Sequence, residues 1–460
     1  MSDKRHTLIK GALVVATQDE QLGEIPGGEI LVGDGLIEQV GTNLQAPGAE
    51  IIDATGCLVL PGLVNTHHHL FQVLTRALPR AQDAKLFDWL VFHYDVWQHI
   101  SPADVQAAAS AGLAELLLSG CCLSADHHYL IPAGAGREYF QAEAEAARRL
   151  GIRLHLTRGS MSLGRSSGGL PPDETVQDAD TILADAEQVI AELHDPRPDS
   201  LCRVALAPCS PFSVTPELMR DTARLARSRQ VRLHTHLAET LDEERFCRER
   251  FGRRPLDYAE DLGWLGPDVW FAHCVFLNAD EIKRLAASGT GVAHCPASNL
   301  RLGSGIAPVP AMLEAGVPVG LAVDGSASND SSNLLRELQL LLLVHRVGTA
   351  VESMPVRQAL RVATSGGARV LGWENLGRLR PGAAADLALF KLDQLPYAGA
   401  LLDPPAALLM CGLDQRAWLV MVNGRVVVRE KHLVAADEQR LFEDAQAASQ
   451  RLLRSAGIIS

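Results

Sequence analysis

A chain of 460 residues, 47% hydrophobic and 21% charged, has room for a barrel of about 300 residues plus a second small domain. Its formal charge of −13 (42 basic against 55 acidic residues) comes with no long basic run, which excludes duplex nucleic acid and anionic membrane surfaces as partners. No run approaches the roughly 18 apolar residues of a transmembrane helix, and the N-terminus lacks a secretion signal, so the expected location is the cytoplasm.

Residues 7–60 read as short strands punctuated by turns at Gly27-Gly28, Asp34-Gly35 and Pro47-Gly48. From residue 62 short apolar runs alternate with helical segments, the pattern of parallel βα units. Eight strands are expected, over 62–69, 121–127, 153–158, 203–208, 232–237, 269–273, 291–295 and 319–324. Helix 102–119 shows how the intervening segments are bounded, with Ser101-Pro102 opening it and Gly120 closing it. Eight such units predict a (β/α)8 TIM barrel, with chemistry at the C-terminal ends of the strands. The Gly/Ser/Pro-rich stretch 164–173 reads either as a lid or as a surface connection. A β pattern returns at 387–391 and 418–422, and Asn423-Gly424 makes a hairpin with 425–428. Residues 438–455 read as a closing helix. The expected organisation is a barrel over 61–378 beside a small β-sandwich built from 1–60 and 379–460, the latter carrying the closing helix.

Five metal-competent side chains fall at expected strand ends: His67, His69, His236, His273 and Asp324. Side chains alternate along a strand, so His67 and His69 share one face while His68 points away. His236 lies in His-Thr-His-Leu-Ala-Glu, three residues before Glu239, and His234 shares its inward face as a deeper packing residue. Singly, each has an ordinary reading, such as a helix cap for Glu239 or turn chemistry for Asp324 before Gly325. Together they describe a site for one divalent ion that activates a water molecule, with Zn²⁺ the expected metal and Fe²⁺ or Mn²⁺ acceptable. The nine cysteines imply no disulfide framework. Cys57, Cys202 and Cys411 read as small hydrophobes, whereas Cys209, Cys274 and Cys295 lie at strand ends within reach of a substrate.

With Pro61-Gly62-Leu63-Val64-Asn65 before it, the His67–His69 segment resembles the first-strand signature of the amidohydrolase superfamily. The resemblance runs through 65–72, 208–215, 234–239, 294–299, 324–329, 379–382 and 385–387, nearly the whole chain. It implies His236 as the third imidazole ligand and Glu239 as the proton carrier. It likewise implies His273 facing the attacking water or tetrahedral centre, and Asp324 as a metal ligand that also accepts the water's proton. Dinuclear relatives bridge two metals with a carboxylated lysine after the fourth strand; no lysine occurs between Lys85 and Lys283, so a mononuclear site is expected.

The strings at 125–129, 157–164 and 207–213 resemble 8-oxoguanine deaminases more closely still. They imply hydrolytic deamination of 8-oxoguanine to urate and ammonia, in a protein that pairs as a homo-oligomer. Hydroxy-s-triazine alkylaminohydrolases share the metal set and stand as the alternative, with isocytosine-like rings as further substrates. A metal-free barrel scaffold would require lost ligands, and all are present. Gln72 offers both amide donor and acceptor to a flat heterocycle, as a similarly placed glutamine does in guanine deaminases. Those enzymes have Arg-Phe where this chain has Cys209-Ser210, so a thiol or hydroxyl donor is expected to meet the 8-oxo carbonyl. Trp97, Arg158, Ser160 and His128 are further pocket candidates, with a plain core role open for Trp97.

Overall fold

Runs such as Val-Ala-Leu-Ala at 204–207 and Trp-Phe-Ala at 270–272 are buried on both faces, as strands must be in a parallel sheet covered by helices. In a computed structural model describing residues 6–411 and 416–460, all eight expected strands form one parallel sheet in chain order. They are Leu63–Asn65, Cys121–Ala125, Arg153–Ser160, Cys202–Pro208, Arg232–Leu237, Val269–His273, Gly291–His294 and Val319–Leu321. The first and last strands meet: the Leu321 carbonyl accepts both the Thr66 N–H and the Thr66 hydroxyl at 2.9 Å. Beyond that seam Asp324–Gly325 pairs in parallel with His68–His69. Closure leaves the sheet without free edges and brings the ends of the first and eighth strands together.

The helices follow their sequence signals. Pro102–Leu118 begins with a reciprocal capping box between Ser101 and Asp104 and stops before Gly120, whose φ is +92°. Both termini build the sandwich. A four-stranded sheet comes wholly from the N-terminal segment, in the order Leu36–Gly41, Glu29–Gly33, His6–Lys10, Glu50–Asp53. A seven-stranded sheet interleaves the two ends, with Cys57–Pro61 antiparallel to Leu387–Lys391 at its centre. Ile9, Val15, Ile30, Val59, Leu389 and Leu419 fill the space between the sheets. The Asn423-Gly424 turn has positive φ at both residues, as a tight hairpin requires. A Cβ at Gly424 would lie 2.8 Å from the Cα of Gly35, so the tips of two hairpins touch there. The closing helix, Glu438–Ser455, packs on the barrel's helices: the Ser449 hydroxyl donates to the Leu74 carbonyl at 2.6 Å, and Arg451 pairs with Asp104 at 2.9 Å.

One buried ion pair fastens the sandwich to the barrel. Arg153, at the start of the third barrel strand, holds Asp386 through two parallel N–H···O bonds of 2.8 and 3.0 Å. Asp386 also accepts the Asn423 N–H at 2.8 Å. Removing one partner of a buried pair leaves the other charge uncompensated, so Asp386→Ala is expected to cost about 3–5 kcal/mol. Urea denaturation monitored by circular dichroism checks this; an unchanged midpoint would show that the clamp contributes no net stability.

Candidate metal centre and its cavity

Three imidazoles and a carboxylate converge at the mouth of the barrel. His69 Nε2 lies 3.0 Å from His236 Nε2, and Asp324 Oδ1 lies 3.2 Å from His67 Nε2 and 3.3 Å from His69 Nε2. The far nitrogen of each ring is already committed. His69 Nδ1–H donates to the His127 carbonyl and His236 Nδ1–H to the Cys209 carbonyl, both at 2.7 Å. His234 Nδ1–H donates to the Trp270 carbonyl at 2.9 Å, which leaves its Nε2 to accept from His67 Nδ1–H at 2.7 Å. All three Nε2 atoms therefore present lone pairs to one point, and His67 Nε2 is buried with no hydrogen-bond partner.

Bare lone pairs 3.0 Å apart repel unless a cation lies between them. Ligand atoms around a tetrahedral Zn²⁺ sit about 3.3 Å from one another at Zn–N distances of 2.0–2.1 Å. The cluster fits such an ion in spacing and in donor chemistry. Burial holds the His67 imidazole far below its usual range and pushes His236 down to about 3, so both rings are neutral and free to ligate. Burial pulls Asp324 upward, but its contacts with His67 and His69 outweigh this and keep it ionised.

Two further groups face the cluster. His273 Nδ1–H donates to Asn299 Oδ1 at 2.9 Å, turning Nε2 toward Glu239 Oε2 at 3.7 Å and Asp324 Oδ2 at 3.9 Å. Burial raises the Glu239 carboxyl above its ordinary range. Burial would lower His273, but the charges of Glu239 and Asp324 overcome that and raise it. The backbone is strained here: Ala238, His273, Cys274 and Asp324 all have φ between +51° and +72°. Such conformations cost non-glycine residues about 1–2 kcal/mol each, and they aim side chains inward where the strands end. The Glu243 carboxylate supports the first of these bends by accepting the Ala238 and Glu239 N–H groups at 2.8 Å.

A cavity opens from the cluster and is lined by side chains of several strand ends and one helix. Its inner end is formed by His69, His236, Glu239, His273 and Asp324. Gln72 and Ser328 flank that end; Ser328 donates to Asp324 Oδ2 at 3.2 Å. Gln72 packs closely against Gly325, where a Cβ would lie 1.9 Å from Gln72 Oε1 and displace its amide. The remaining walls are Leu86, Trp89, Leu90 and Tyr94 from one helix, Leu86–Trp97, with Tyr129, Cys209, Phe212 and Leu302.

Residues 58–427 match the amidohydrolase family. The chain belongs to that family. This amidohydrolase is 48% identical to the 8-oxoguanine deaminase of Pseudomonas aeruginosa over 450 residues, 97% of this chain and 99% of that one. It is 38% identical to a hydroxydechloroatrazine ethylaminohydrolase of Pseudomonas sp., over 97% of this chain and 96% of the other. The crystal structure of atrazine chlorohydrolase TrzN from Arthrobacter aurescens TC1 complexed with zinc superposes with a TM-score of 0.93 at 38% identity, covering 96% of this chain and all of that one.

The structure brings His67, His69, His236, His273, Asp324, Glu239, Gln72 and Cys209 of this amidohydrolase together, and leaves other expected pocket residues outside. Arg158 and Ser160 do not line the cavity. Both take the same side of the third strand, and Arg158 pairs at 2.9 Å with Asp185 on the surrounding helix Ala179–Leu193. Trp97 faces away from the cavity and donates its indole N–H to Thr75 Oγ1 at 3.0 Å. His128 is bound to Glu143 at 2.8 Å behind the wall. Cys274 and Cys295 are buried outside the lining. The stretch 164–173 does not line the cavity either; it braces the helix that does, through Arg165 and Asp95 at 2.8 Å. Sequence reasoning missed Asn299, Tyr94 and Tyr129; His234, expected as a deeper hydrogen-bonded packing residue, is that, and its partner is His67.

Proposed function

We propose that this amidohydrolase deaminates 8-oxoguanine hydrolytically to urate and ammonia. The observation that carries the reading is one cavity joining the His/Asp cluster to Gln72 and Cys209, in a chain 48% identical over nearly its whole length to an 8-oxoguanine deaminase. His67, His69, His236 and Asp324 would hold a single divalent ion, with Zn²⁺ favoured because the TrzN neighbour was solved with zinc. When bound, such an ion acidifies water toward neutral pH and acts as a Lewis acid.

The protein's own groups then handle the protons. The water oxygen bonds to the ring carbon that bears the exocyclic amine, and the carbon–nitrogen bond to that amine breaks. Glu239 delivers one of the water's two protons to the adjacent bare ring nitrogen. Asp324 takes the other and hands it to the amine, which leaves as ammonia. His273 donates from Nε2 to the oxygen of the tetrahedral adduct, held in place by Asn299. Gln72 orients the ring beside Asp324, and the Cys209 thiol donates toward the 8-oxo carbonyl. Burial pushes that thiol up to about 12, so it keeps its proton.

A hydroxy-s-triazine alkylaminohydrolase is the second reading, favoured by the 38% identity to such an enzyme and by the apolar wall of Leu86, Leu90 and Phe212 that an alkyl group would meet. Ammonia or amine release from 8-oxoguanine, guanine, isocytosine and a hydroxytriazine, with metal content measured on the same sample, separates the two. Cys209→Ala is expected to lower the kcat/KM preference for 8-oxoguanine over guanine by about 3–10-fold, the worth of one neutral hydrogen bond. An unchanged preference would remove the thiol from the specificity argument.

All nine cysteines are free, which supports a reducing compartment such as the cytoplasm. Among the described residues no helix is long and apolar enough to cross a membrane. Leu343, Val347, Val351 and Leu402 are left exposed, which supports assembly as a homo-oligomer.

A further inference from the structure

We infer that Tyr94 is a specificity-determining residue, whose hydroxyl, beside the Cys209 thiol, binds the imidazolone edge of the substrate. This rests on the 8-oxoguanine reading above and adds a residue to it. Tyr94 is fully buried yet lines the cavity, and among the described residues its hydroxyl has only the Cys209 thiol beside it and no oxygen or nitrogen partner at hydrogen-bond geometry. Buried hydroxyls are ordinarily satisfied. A phenylalanine would fill the same space and forgo only a weak contact with the thiol.

Position says which part of a ligand would satisfy it. Two other polar atoms of the lining lack a partner, the Trp89 indole nitrogen and Gln72 Oε1; the latter is pressed against Gly325 next to Asp324 and therefore serves the reacting end. Tyr129 stands 5.0 Å from His69 and 6.5 Å from Tyr94 between ring centres, which puts Tyr94 one ring farther from the cluster. The Cys209 thiol lies beside the Tyr94 hydroxyl, and the Cys209 carbonyl holds the side of His236 turned away from the cluster. The other groups that helix Leu86–Trp97 gives the cavity are Leu86, Trp89 and Leu90, so Tyr94 is this wall's hydroxyl.

The edge opposite the reacting carbon of 8-oxoguanine carries a carbonyl flanked by ring N–H groups. A thiol can donate to that carbonyl while the tyrosine oxygen accepts the neighbouring N–H. Burial keeps the phenol protonated, so it retains a donor as well. Isocytosine has the reacting amidine and lacks this edge altogether.

The test compares the metal-loaded parent enzyme with Tyr94→Phe. The variant is expected to lose roughly ten-fold or more in kcat/KM for 8-oxoguanine, as when a buried hydrogen bond leaves its partner unpaired. Isocytosine turnover should stay within two-fold of the parent, and urate, the product that keeps the edge, should bind more weakly by calorimetry. Metal content should be unchanged and the Tm little changed, because the hydroxyl's protein contact is a weak one with the thiol. An 8-oxoguanine kcat/KM within two-fold of the parent overturns the inference, as does an equal loss on isocytosine or a loss of metal. A parent enzyme that processes hydroxytriazine and ignores 8-oxoguanine overturns the proposed function itself, and this inference with it.

Discussion

Glu239→Gln is expected to cut kcat for 8-oxoguanine by roughly 10²–10⁴-fold, the range a positioned general acid–base contributes, while bound metal stays stoichiometric. Glutamine has the same shape and can keep the 3.5 Å contact with Ser304, but it cannot carry a proton. The bend that presents residue 239 is fixed by backbone bonds to Glu243, which the substitution leaves intact. Steady-state ammonia release with parallel metal analysis separates a lost proton carrier from a damaged site. A variant keeping more than a tenth of the parent rate would move the role to another group, and His273, 3.7 Å away, is the next to examine.

His69→Asn is expected to abolish both metal binding and turnover. His69 Nε2 is the atom nearest two other donors, 3.0 Å from His236 Nε2 and 3.3 Å from Asp324 Oδ1, and an asparagine is too short to reach that point. Loss of a ligand should exceed the 10–100-fold drop in metal affinity that an outer-shell change causes. Metal analysis after dialysis checks this without relying on activity. Full occupancy and full turnover in the variant would overturn the site assignment.

The barrel was legible because each strand is a short apolar run closed by punctuation, and a strand buried on both faces needs nothing subtler. The imidazole cluster was legible for a related reason: alternation alone puts His67 and His69 on one face, and His68 indeed turns away to Ser332 at 2.9 Å. The same alternation, left unapplied, accounts for Arg158 and Ser160, which share the outward parity of their strand. The helix Leu86–Trp97 was illegible for a different reason. Its Leu, Trp and Tyr residues repeat at core spacing, and only the closed fold shows that residues 86, 89, 90 and 94 face a cavity while Trp97 does not. Left-handed strand ends at His273 and Asp324 also leave no local mark, since neither residue is a glycine.

Strand Cys57–Pro61 takes its central place in the seven-stranded sheet against Leu387–Lys391, whose first residue is made 326 positions after Pro61 (387 minus 61). At 5–20 residues per second on the ribosome, that partner arrives roughly 15–65 s later. Through that interval the emerging chain carries an apolar strand, Cys-Leu-Val-Leu-Pro, with one flank unpaired. The barrel can close its own seam at Thr66 and Leu321 before the ribosome reaches Leu387, so the catalytic half can be shaped first. The waiting strand is thus an open edge, prone to pair with other chains, until the C-terminal segment arrives to cover it.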